Sequence, residues 1–124
     1  MRRILLGFRL LLASAVLVLA GVAALPVDAH HGWGSYDAEE AMRFEAALLE
    51  VHYRNPHAEV AVEHQGQRWN VVLAPVSRMS ARGLPDGALV EGKTIVIEGY
   101  PRNDGVRELR AERIVVDGKT IELR

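Results

Sequence analysis

The sequence predicts a mainly β protein: a small OB-like antiparallel β-barrel with one short helix, preceded by an N-terminal signal or hydrophobic helix. Three observations lead there. Strand-like runs recur from Phe44 to the C-terminus, several with alternating apolar residues. Turn signals at Asn55-Pro56, His64-Gln65-Gly66-Gln67 and Asp117-Gly118 divide them. One helix-like segment, opened by Pro75 and closed by Gly83, stands between the third and fourth strands. Three strands, a helix, then two or three strands is the order of an OB-type barrel. Other small barrels and a β-sandwich fragment share parts of that order.

The elements follow in chain order. MRRILLGFR carries three arginines and no acid, and Leu10 to Leu25 is uncharged and almost entirely Leu, Ala and Val. Val27-Asp28-Ala29 then places small residues at the −3 and −1 positions, which completes the pattern of a secretory signal peptide cut after Ala29. The apolar run is shorter than the roughly 20 residues of a comfortable membrane span. The competing reading keeps the leader as an uncleaved anchor. The expected organisation is therefore 1–29 signal peptide, 30–43 extended arm and 44–124 OB-like barrel, exported to the periplasm.

Within the arm, Asp37 to Met42 could form one helical turn capped by Asp37. Phe44 to Tyr53 is a long strand whose imperfect alternation leaves the faces of Glu50 and His52 open. His57 to Glu63 alternates, with Val60 and Val62 inward. Arg68 to Leu73 returns with Trp69, Val71 and Leu73 on one face. Pro75 suits a first helical turn and Gly83 a helix end, enclosing 76–82. Thr94 to Tyr100 turns Ile95 and Ile97 inward. Glu108 to Val116 and Lys119 to Leu123 form a hairpin about Asp117-Gly118.

Composition narrows the function. Loss of the leader removes three arginines and one aspartate, taking the net charge from −1 to about −3. A mildly acidic exported domain is a poor nucleic-acid binder, since that role rewards dense Lys/Arg surfaces. The chain has no cysteine, so disulfides, thiolate zinc sites, iron–sulfur clusters and c-type haem attachment are excluded. No nucleophile elbow, zinc-protease helix or phosphate loop is present, and no enzyme is expected. Ser35 near His31 and Asp37 supplies the residue types of a hydrolase triad, but an extended arm cannot preorganise a nucleophile.

The histidines carry the remaining chemistry. After cleavage at Ala29, His30 is the N-terminal residue, and its α-amine, with a reference pKa near 8, can lose its proton and ligate. Amine and imidazole of His30, with the imidazole of His31, form a nitrogen-rich chelate of the kind that favours copper(II). The other reading is a solvated polar arm. His57 follows Pro56 at a strand start, and His52 lies near enough to approach it across the turn, so His30, His31, His57 and His52 form the candidate metal set. Asn55 can organise the turn, and Trp33 either staples the arm to the barrel or stacks on a ligand. Tyr36 and Tyr53 have no assigned role. Trp69 reads as core, His64 as a solvated turn residue, and Arg78 and Arg82 as ordinary helix-surface charges. The alternative to metal binding is a metal-free module that contacts another envelope protein.

AHHGWGSYDAEEAMRFEAALLEVHYRNPHAEVAVE, RWNVVLAPVSRMSARGL and GKTIVIEGYPRNDGVRELRAERIVVDGKTIEL resemble the bacterial exported family Domain of Unknown Function 6152, with its Ala-His-His and Asn-Pro-His motifs. Members often carry serine after the two histidines, where this chain has Gly32, so no hydroxyl role carries over there. The resemblance implies a small exported β-barrel and points to His30, His31, Asn55, Pro56 and His57. It implies no metal.

Overall fold

The computed structural model describes residues 33–124. The leader, its cleavage site and the pair His30 and His31 lie outside the described residues.

Six strands and one helix make up the fold: β1 (Met42–His52), β2 (Glu59–His64), β3 (Gln67–Val72), α1 (Val76–Ala81), β4 (Thr94–Pro101), β5 (Glu108–Val116) and β6 (Lys119–Glu122). The sheet order is β3-β2-β1-β4-β5-β6, and an additional β3–β5 pairing closes five of the strands into a barrel. That closing pair is parallel, Asn70 to Val72 against Glu108 to Arg110, where the sequence predicts an antiparallel barrel. Geometry requires the exception. Five strands around a ring cannot all alternate direction, so at least one neighbouring pair must run the same way.

β1 is long enough to serve two partners. Its first half pairs with β4 and its second with β2. Phe44, Ala46 and Leu48 point into the barrel, and the register then shifts between Leu48 and Glu50. This bulge breaks the alternation that left Glu50 and His52 unassigned. The β2–β3 turn places Gln65 and Gly66 at positive φ, and the β5–β6 turn does the same with Asp117 and Gly118. Both are the twist that two-residue hairpins need.

The core is apolar throughout. Val60, Val62, Val71, Leu73, Met79, Ile97, Leu109, Ile114 and Leu123 are fully buried, and among the described residues no polar or charged residue is buried. Met79 carries α1 into the barrel's end. Arg78 and Arg82, expected to be plain surface charges, instead donate to the carbonyls of Leu123, Glu122 and Arg124 beyond and at the end of β6. They cap an edge that would otherwise present bare acceptors.

The helical turn expected at Asp37 to Met42 does not form. Asp37 Oδ1 accepts from Glu39 N at 3.0 Å and its carbonyl from Glu40 N at 3.2 Å, a local turn after which β1 starts. The intervening Ala38-Glu39-Glu40 has no large apolar side chain to bury, so nothing rewards helix formation there. Among the described residues of the arm the one helical turn is a 3-10 turn over Trp33–Ser35. Among the described residues no helix is long and apolar enough to cross a membrane.

Candidate functional site

One row of outward-facing residues crosses five strands. His52 pairs with Glu59, Glu59 with Val72, Val72 with Arg110, and Arg110 with Tyr100. The row exists because β2 alternates from a fixed inward set (Val60, Val62) and because β3 and β5 close in the register just given. Opposite Glu98 and Gly99, β5 carries one extra residue, Glu112, and this bulge sets the register in which Tyr100 meets Arg110. A Cβ on Gly99 would collide with the Arg110 carbonyl and lie 2.8 Å from Ala111 Cα, so only glycine fits this approach.

Two loops rise beside the row. The β1–β2 loop carries Asn55-Pro56-His57, with a cis Asn55–Pro56 peptide, and the β4–β5 loop carries Arg102 to Arg107. Between them lies a pocket of about 170 Å³ lined by Tyr36, Pro56, His57, Glu59, Val72, Arg102, Glu108 and Arg110. These two loops and the adjoining strand face are where OB barrels bind ligands.

The arm reaches the same place. Gly34 and Ser35 offer their carbonyls to the side chain and backbone N–H of Asn103 at 3.0 Å each, and Asp37 N donates to the Pro101 carbonyl at 2.8 Å. Tyr36 bridges to Arg102 and is 6% exposed. The arm is therefore pinned along the β4–β5 loop by backbone hydrogen bonds from Gly34 onward.

The pocket wall is a connected polar network. Tyr36 O–H donates to Glu108 at 2.8 Å, and Asn70 Nδ2 and Arg102 donate to the same carboxylate at 3.3 and 3.4 Å. Burial, and then the Glu108 carboxylate, push the Tyr36 phenol up to about 12. Arg102 also grips Asp104 at 2.6 Å, and this hydrogen bond is the main reason the Asp104 carboxyl falls to about 2. Each guanidinium or carboxylate in this group thus has an opposite charge beside it.

His57 is half-buried at the pocket wall, two residues before Glu59 on the same outward face. Asn55 is exposed at the loop tip. His52 sits across from Glu59 but does not line the pocket. Its Nε2 is 3.1 Å from Glu50 Oε2, and Glu50 also holds Arg68 at 2.8 Å. Those bonds, His52 first, hold the Glu50 carboxyl below its usual range. Among the described residues no three His, Asp or Glu side chains are grouped to hold a metal ion.

Trp33 rests on the barrel, with its ring under the guanidiniums of Arg110 and Arg124. His64, read from sequence as a solvated turn residue, stacks its ring on Phe44 at 4.0 Å. Tyr36, Glu59, Arg102, Glu108 and Arg110 had no site assignment in sequence. Isolated Arg and Glu on a strand look like solvated charges, and only barrel closure brings these together.

Fold and site together define a class: a small OB-like barrel with a mixed-charge cleft between its β1–β2 and β4–β5 loops and a pinned N-terminal arm. The chain belongs to the Family of unknown function (DUF6152), whose model matches residues 16–110. No curated protein matches the chain. Among solved structures it is similar to a crystal structure of TiaS in complex with a tRNA and ATP, at a TM-score of 0.49 and 12% identity, over 71% of this chain and 19% of that one. The chain thus spans 19% of that protein's length.

Proposed function

We propose that the protein is an exported, non-enzymatic binding module that holds one transition-metal ion, copper(II) foremost, between its mature N-terminus and the Asn55-Pro56-His57 corner. The observation that carries this reading is that Tyr36 and His57 line one pocket. The arm that begins with the histidine pair is thereby tied beside the third histidine.

The proposed ligands are the α-amine and imidazole of His30, the imidazole of His31 and the imidazole of His57. His52, engaged with Glu50, is the candidate fourth histidine. Nitrogen donors in this number suit copper(II). Glu59 and Glu108 offset the two guanidiniums of the same pocket, so the local field does not bar a divalent cation.

Mass spectrometry of protein recovered from the cell envelope reads both parts of the proposal. The expected result is a chain starting at His30, with copper at about one per chain that His57→Ala and His30→Ala each diminish. A chain that keeps the leader would refute the α-amine ligand. Metal content unchanged in the variant lacking all four histidines would refute the site. The metal-free alternative, an envelope interaction module, draws on the exposure of Trp33 (42%) and Val106 (56%), and it requires partner binding to survive in that same four-histidine variant.

A further inference from the structure

Glu59 stands apart from the other acids around the pocket. Glu108 accepts from Tyr36, Asn70 and Arg102, and Asp104 is held by Arg102. Glu59 is half-buried and lines the pocket, yet among the described residues its side chain has no hydrogen bond and no ion pair. A carboxylate that gives up part of its hydration needs a donor in return. The described lining supplies none, and a ligand ammonium would satisfy it with a charged hydrogen bond.

The matching cation lies across the pocket floor. Glu59 pairs with Val72 and Val72 with Arg110. The two charges therefore flank one apolar side chain at two strand spacings, about 10 Å between Cα atoms. Arg102 is committed to Asp104 and Glu108. Arg110 is positioned by aromatic rings, its guanidinium carbon 4.5 Å from the Trp33 centroid and 5.8 Å from that of Tyr36. A cation–π contact consumes no N–H donor, and the planar fork of an arginine recognises a carboxylate.

The geometry points to a binding site for a small zwitterion, an α-amino acid with a small apolar side chain. Its ammonium donates to Glu59, its carboxylate accepts from Arg110, and its side chain rests on Val72. With His57 neutral, the two guanidiniums and two carboxylates of the lining balance, which favours a ligand carrying both signs. An amine alone would leave Arg110 unused, and a carboxylate alone would face Glu59. The volume of about 170 Å³ lies below the roughly 300–1,000 Å³ of drug-sized pockets, so the ligand is small. The site is independent of the metal reading above.

Amide NMR titration of metal-free protein with L-valine, isobutylamine and isovalerate tests this. L-valine should shift the amides of Glu59, Val72 and Arg110 saturably. Isobutylamine lacks the carboxylate and isovalerate the ammonium. Each should bind at least about tenfold more weakly than L-valine, the scale of one lost charged hydrogen bond. In Glu59→Gln, checked for the folded barrel by the rest of its spectrum, L-valine should weaken by at least about tenfold. Isovalerate should bind that variant no worse than wild type, because the repulsion from Glu59 is gone. No saturable shift with L-valine in wild type overturns the proposal, as does equal binding of the three compounds. Glu59→Gln that leaves L-valine unchanged, or weakens L-valine and isovalerate alike, overturns it too. Copper enters none of these measurements, so each such result leaves the metal reading standing.

Discussion

Tyr36 shows how one side chain ties the arm to the barrel. Its ring is buried and its hydroxyl donates to Glu108, so Tyr36→Phe should destabilise the protein by about 1 kcal/mol at neutral pH, the usual scale for a lost hydrogen bond. The pH dependence has a definite sign. With the folded phenol raised from 10.0 to about 12, the unfolded chain loses this proton first. The Tyr36 contribution is therefore complete below pH 10 and lost as pH rises toward 12. Denaturant unfolding of wild type and Tyr36→Phe across that range should show the difference shrinking, and a constant difference would contradict the assigned environment. Sequence alone left Tyr36 without a role, because one tyrosine in a glycine-bearing arm has no period to place it. The corner before His57 was legible as a turn, since Asn55-Pro56 is a turn signal, although β2 starts two residues later than read, at Glu59. The role of His64 was not legible, because its stacking on Phe44 joins the far ends of β1 and β2, and no local pattern marks that contact.

Single elements were read well where local chemistry decides them. Both hairpins, α1 and the inward faces of β2 and β4 follow from turn residues and period. The bulges in β1 and β5 did not, since a register shift is set by the partner strand. Gly99 marks the second of them, and Gly99→Ala should cost about 1–3 kcal/mol, as overpacking does, because the new methyl meets backbone. Chemical denaturation checks this, and a neutral result would mean the β4–β5 register is not as described. A ladder of cross-strand partners also joins elements: Arg43 pairs with Glu98, Glu98 with Arg113, and Arg113 with Glu122. Arg113→Ala should lower Tm, and by less at about 1 M salt, where exposed pairs are screened. A salt-independent loss would point to packing by the arginine stem instead.

For the whole molecule, closure is the step that creates the site. The OB-like order was legible from three strands, a helix and the later strands. The parallel β3–β5 seam, which brings Val72 beside Arg110 and Asn70 beside Glu108, has no local signal, because its residues are nearly forty apart. The pocket therefore could not be read from sequence. The same closure puts the arm and the Asn55-Pro56-His57 corner at one end of the barrel, and on that coincidence the metal proposal depends. The most direct measurement is copper(II) calorimetry on protein beginning at His30, beside the same protein acetylated on its His30 α-amine. The account predicts one ion per chain for the first and an affinity at least about tenfold lower for the second, since acetylation removes the terminal amine from the chelate. Equal binding by the two, or none by either, would contradict it.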